Sequence, residues 1–466
     1  MVNFLERIKM EGKKKTVCSL IVLLAVIGTT FFLGKGFVAG FSLLFLLVVV
    51  TFIVLLKLNI RNKELYLILV IAVLLHLLSV LFIHYTEFRP VGGGADYEGY
   101  NNNAVEVAKR FSKGNFSLEG LYTNHYFAVF VGIIYLITGP ETISVQLFLV
   151  WLAMVSVLLS YFLVIELGGS EKSAFLAGLI TSFYPSYLYF GSLLLKDTLV
   201  VPLALVGLLL SLKIMKNFSG LNFLMFFIVL AGLIHFRFYI GLALLFSFII
   251  CWFIISSKRI WERIIYGLAI IFILGFSPQL VGFGYYGTES FKGFLNKSTI
   301  KQYREIVYAP SPDFKTKDNK NTGVGSSFVV PTGFDSPFTF TKGYLTSFIY
   351  SFFGPFPWQL RYKRHLFFLA DTVPWYLIWI IALSGIFRVI KEKGFFPFVQ
   401  LHKLSLFFLL FSVMAFGALS LFINNFGIIG RVRMPIFIAL LCVILLSFKF
   451  DYFNKIKNSL SWLKDI

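Results

Sequence analysis

The stretch FRPVGGGADYEGYNNNAVEVAKRFSKG, Phe88 to Gly114, decides how the chain is read, because it is a polar island in an apolar sequence. Three hydrophobic runs precede it and about nine follow. Asp96 comes just after a glycine run, where the backbone can turn tightly and approach a ligand. The segment Tyr97 to Phe111 then has helical spacing. Val105, Ala108 and Phe111 mark an apolar, lipid-facing stripe, and Glu98, Asn102, Glu106 and Lys109 a wet one. Such a pattern predicts a helix lying on a membrane surface, with a carboxylate at its start.

Working outward, 58% of the 466 residues are hydrophobic and only 14% are charged. A soluble domain carries roughly 25% charged residues, so this chain is read as an all-α polytopic membrane protein. The net charge of +20 would suggest nucleic acid in a soluble protein. Here the basic residues cluster in short loops between apolar runs, so cytoplasmic loops and anionic lipid headgroups explain them and nucleic acid is excluded as a partner. Cys18, Cys251 and Cys442 lie in or beside apolar runs without CxxC spacing, so neither a disulfide framework nor a zinc site is expected. The run after RIKMEGKKK reads as a first span with a cytoplasmic N-terminus, not as a cleaved signal.

A helical span needs about 20 apolar residues. Twelve stretches qualify: 17–34, 38–57, 65–84, 143–166, 172–190, 197–214, 221–235, 238–256, 262–283, 368–390, 404–423 and 432–449. The inside and outside counts of the basic loops agree only if the run 124–138 does not cross, and it is also short for a span, so it reads as a second surface helix. Placing the basic clusters inside puts both termini in the cytoplasm and three polar regions outside. These are 85–142, the turn 191–198, and 284–367, whose Pro-, Gly- and Ser-rich middle reads as a mobile loop. A further outward turn, 424–435, carries Arg431 and Arg433 ahead of the last span. The expected divisions are a tail and two-span hairpin over 1–64, a catalytic membrane domain over 65–450, and a tail over 451–466.

Asp96 is the leading catalytic candidate, as a general base taking the proton of an acceptor hydroxyl or amine. The alternative is a cap for the helix that follows. Asp197, with Lys196, stands at the head of a span, where the helix dipole favours a carboxylate. Outward-facing Arg431 and Arg433, and Arg361, Lys363 and Arg364 at the end of the long loop, fit a bound phosphate or lipid headgroups. His125 opens the second surface helix, and Arg237 sits beside His235 at another outward hairpin. His76 and His84 read as structural. No HExxH, GxSxG or P-loop pattern is present, and no cluster calls for a metal or other cofactor.

In this order the features resemble the GT-C class of membrane glycosyltransferases, in the branch of the protein O-mannosyltransferases and the lipid A aminoarabinose transferases. ADYEGYNNNAVEVAKRFSKG (95–114) is similar to the family's first outer loop, and NHYFAVFVGIIYLITG (124–139) to its second surface helix. SAFLAGLITSFYPSYLYFGSLLLKDTLVVP (173–202) resembles the Ala-rich span and acidic outer turn, and GRVRMPIFIALL (430–441) the late Arg-x-Arg-x-Pro stretch. The likeness runs in order over 65–450. It implies a sugar donor on a polyprenyl phosphate, an acceptor that is a lipid, a glycan or a protein, and a site on the outer face. It implies Asp96 as the catalytic carboxylate and Asp197 as the second acidic position, with Lys196, Arg431 and the 361–364 cluster at the phosphate. Asp96-Tyr97 replaces the usual Asp-Glu pair, and two extra spans precede the usual first one. FRPVGGGADYEGY also resembles the opening of some oligosaccharide repeat-unit polymerases and ligases, which would use arginines and need no base at Asp96. A lipid-linked glycan flippase or transporter is the third reading; it expects charges along a central path, whereas these gather at one face.

Overall fold

The computed structural model describes residues 34–90, 94–121, 126–255, 258–276, 296–306, 330, 336–360, 363–393, 403–423 and 425–447. Among these, the regular elements are all helical. Eight of the described helices are long and apolar enough to cross a membrane, so the chain is an all-α, multi-pass membrane protein. The expected span 17–34 and the tail 451–466 lie outside the described residues.

The chain forms two compact units, Met1–Arg61 with Asp96–Trp151, and Asn62–Ala95 with Leu152–Ile466. In the first, α1 (Lys35–Lys57) is followed by α3 (Gly94–Ser112), α4 (Phe127–Thr138) and the start of α5 (Thr142–Glu166); α2 (Lys63–Thr86) belongs to the second. Gly36 and Gly40 give α1 a small-xxx-small edge, the pattern that lets membrane helices approach closely. The Gly36 amide donates to Glu141 Oε2 at 3.1 Å. A Cβ at Gly40 would come within 2.5 Å of Ser144 Cα. Further along, Trp151 Nε1 donates to Thr51 Oγ1 at 3.0 Å, so α1 and α5 run side by side in parallel.

The pairing of α3 with α4 uses the same device. A Cβ at Gly132 would meet Val107 Cβ at 2.7 Å, and Tyr135 Oη donates to Asn101 Oδ1 at 2.6 Å. The buried residues of α3 are Tyr97, Ala104, Val107 and Ala108. This covered face meets α4 and shares only Ala108 with the expected lipid-facing stripe of Val105, Ala108 and Phe111. At 1.5 Å per residue, the 12 residues of α4 reach about 18 Å, short of the ~30 Å hydrocarbon core.

The second unit continues with α6 (Glu171–Phe183), α7 (Pro185–Phe190), α8 (Asp197–Lys216), α9 (Gly220–Phe236), α10 (Phe238–Ile255) and α11 (Ile260–Phe276). After these come α12 (Lys297–Ile306), α13 (Pro337–Phe353), α14 (Leu369–Lys393), α15 (Lys403–Phe422) and α16 (Phe426–Ile444). The expected span 172–190 is two helices, because Pro185 starts a new one and the preceding Tyr184 is extended, with ψ 115°. The long segment 284–367 holds two helices not expected from its composition, α12 and α13. Its Pro- and Ser-rich middle lies outside the described residues.

Side-chain caps fix several helix starts, as orphan amides require. Asn62 accepts from the Leu65 amide at 3.1 Å, and Ser336 with Thr339 forms a capping box on α13. Asn425 accepts from the amides of Gly427 and Ile428. This last cap starts α16 at Phe426, ahead of the expected 432, and α16 is almost wholly buried. It is the central helix of the second unit.

Candidate functional site

Two arginines on α16 each meet a carboxylate in the first turn of another helix. Arg431 Nη1 lies 3.9 Å from Asp197 Oδ2, and Arg433 Nη1 lies 3.2 Å from Asp371 Oδ2. Residues two apart on a helix differ by about 200° in direction, so the two guanidinium groups address different neighbours. The sequence predicted both arginines in an outward turn before the last span. Both are instead inside a buried helix, where the acidic partners offset the cost of burying a cation.

Asp197 is the focus of the first cluster. Arg237, the single residue between α9 and α10, grips it with two donors: Nε to Oδ1 at 2.8 Å and Nη2 to Oδ2 at 2.7 Å. This fork-on-carboxylate geometry is the strong form of the pair. Arg237 Nη1 also donates to Tyr239 Oη at 2.8 Å. Lys196 directly precedes Asp197 and is likewise buried. The guanidinium of Arg431 lies over the ring of Phe190, 5.6 Å from its centroid. Gly430 lets α16 pass close to α7 here, since a Cβ would stand 3.2 Å from Phe190 Cε2. These four residues, drawn from three places in the sequence, thus place three cations around one carboxylate.

Asp371 is the focus of the second cluster. Its Oδ1 accepts from Tyr184 Oη and from Ser186 Oγ, the latter at 2.7 Å. Arg433 Nη2 donates to the carbonyls of Ser351 at 2.9 Å, Phe352 at 3.1 Å and Gly354 at 2.5 Å. These belong to the carbonyl end of α13, where a cation satisfies orphan acceptors and complements the dipole. Trp375 covers the guanidinium, with its ring centroid 5.5 Å away.

A third buried arginine, Arg304 of α12, donates from Nη2 to Ser347 Oγ at 2.5 Å and to the Ser420 carbonyl at 3.3 Å. It ties α12 to α13 and to the last turn of α15.

Asp96 belongs to the first unit. It is the third residue of α3, exposed in the first turn. The helix starts at Gly94, so Asp96 lies inside its first turn, where the helix dipole favours a carboxylate. Glu106 pairs with Arg110 at 3.0 Å. The Arg110 guanidinium holds its carboxyl below the usual carboxylate range, as expected of an ionised group on a solvated face. Lys363 and Arg364 fall in the 3-10 turn Lys363–Phe368; Arg361 and His125 lie outside the described residues.

Sequence reasoning found Asp197, Lys196, Arg237, Arg431 and Arg433 but missed Asp371, Tyr184, Ser186 and Arg304. The signal for Asp371 was present: a lone acid near the head of an apolar run is a functional candidate by default. Among the described residues, no group of three or more His, Cys, Asp or Glu is placed to hold a metal. Comparison with protein-family models, curated proteins and solved structures finds no match to this chain.

Proposed function

We propose that the protein is a membrane glycosyltransferase that moves a sugar from a polyprenyl-phosphate donor to a lipid, glycan or protein acceptor on the extracytoplasmic face. The observation that carries this reading is the gathering of Lys196, Arg237 and Arg431 around Asp197 at the head of a membrane-spanning helix. Buried cations in such a helix bundle are costly, and a phosphate on a lipid is a ligand that rewards them.

The chemistry follows from charge. As the bond between the sugar's anomeric carbon and the phosphate oxygen breaks, its electron pair passes to the phosphate. The phosphate therefore gains negative charge in the transition state, and fixed cations stabilise it there more than in the bound donor. The acceptor oxygen or nitrogen forms the new bond to the anomeric carbon and gives up a proton. The sequence resemblance alone nominates Asp96 as the base that takes that proton. Asp197, with both oxygens engaged by Arg237, keeps the cations in place.

The test uses full-length protein in lipid nanodiscs with a panel of radiolabelled polyprenyl-phosphate sugars. The reading expects consumption of at least one donor, and a raised KM with a lowered kcat for Arg431→Gln. Lengthening of pyrophosphate-linked glycans with no use of any monophosphate donor would replace it with the polymerase reading.

A further inference from the structure

Short helix α7 touches both arginine clusters. Its Ser186 donates to Asp371 at 2.7 Å, and one turn later its Phe190 lies against the Arg431 guanidinium. Tyr184, just before α7, donates to the same Asp371 oxygen and stacks on Phe437 of α16 with ring centroids 3.9 Å apart. Asp371 and Arg433 thus join the start of α14, the end of α13, α7 and α16 through one buried network.

The helix itself holds this turn of α16 weakly. Pro435 has no amide to offer the Arg431 carbonyl, and Gly430 adds no side chain at the crossing with α7. Arg431 is held directly by Asp197 and Phe190, and the Arg433–Asp371 pair sets the rotation of α16 that brings it to them.

We propose that Asp371, Arg433, Tyr184 and Ser186 are positioning residues, whose network holds α16 and α7 in the register that aims Arg431 at a phosphate beside Asp197. This rests on the donor reading above for the identity of the ligand. None of the four touches the phosphate; each acts through Arg431.

The test deletes single oxygens, Tyr184→Phe and Ser186→Ala, each alone and combined with Arg431→Gln, in the full chain in nanodiscs. Two quantities are measured: the Kd for radiolabelled farnesyl phosphate, and amide hydrogen exchange over residues 425–436 without ligand. Each single deletion is expected to weaken binding by about three- to ten-fold, the worth of one hydrogen bond, and to speed exchange in the first turns of α16. In the Arg431→Gln background the same deletion is expected to cost no further affinity, because the residue through which it acts is gone. Equal losses in both backgrounds, or faster exchange without loss of affinity, would overturn the positioning role. Failure of the wild type to bind farnesyl phosphate would instead sink the donor reading. The positioning claim would then be decided by exchange alone, and unchanged exchange in α16 would overturn it.

Discussion

Arg433 stands between Asp371, 3.2 Å away, and three carbonyls at the end of α13. One guanidinium thus neutralises a buried carboxylate and closes a helix end. Removing the carboxylate leaves a buried cation uncompensated, which costs about 3–5 kcal/mol. Asp371→Ala is expected to lower stability by that amount, measured by chemical unfolding in detergent micelles. A loss under about 1 kcal/mol would show that the pair is not structurally required.

Arg237 grips Asp197 with two parallel donors. Lysine keeps the charge but supplies one point donor in place of a fork. Arg237→Lys is therefore expected to weaken farnesyl phosphate binding about ten-fold, because the carboxylate that organises the cations is left half held. Unchanged affinity would show that charge alone is enough.

Gly40 and Gly36 make a paired test of the first unit. At Gly40 the added atom would meet the Ser144 backbone, and at Gly36 it would meet the Glu141 side chain down to its Cβ. Gly40→Val is expected to cost about 1–3 kcal/mol of thermal stability by overpacking. Gly36→Ala should also destabilise, because the Glu141 Cβ, 2.5 Å from the added atom, cannot turn away with the carboxylate. No loss of stability at Gly40 would mean that α1 is not packed on α5 there.

Gly430 offers a graded probe of the crossing between α16 and α7. Its added Cβ would sit 3.2 Å from Phe190 Cε2, a contact that a small ring shift relieves. Gly430→Ala is expected to keep the fold and to weaken phosphate binding only a few-fold, while Gly430→Val, which cannot be relieved so, should abolish it. Equal binding by both variants would detach Phe190 from the positioning of Arg431.

Much of the fold was legible because uninterrupted apolar runs leave one solution in a membrane. The runs at 38–57, 65–84 and 143–166 correspond to α1, α2 and α5 within a few residues. What hydropathy could not show was burial paid in ion pairs. The start of α16, NFGIIGRVR, carries two arginines and two glycines and looks like a turn until Asp197 and Asp371 are placed beside it. Asp371 was hidden by the reverse effect, one acid inside an apolar run. Helix α13 was masked by its Thr, Ser and Gly content. A single residue separates α9 from α10, and only the folded hairpin shows that this residue, Arg237, reaches forty positions back to Asp197.

The most direct test of the central claim is single-turnover consumption of a labelled polyprenyl-phosphate sugar by wild type and by Asp96→Asn. The account expects the variant to bind the donor with near wild-type affinity and to consume it at least a hundred-fold more slowly, within the roughly 10²–10⁴ that a general base supplies. An Asp96→Asn protein that turns over the donor at the wild-type rate would contradict it.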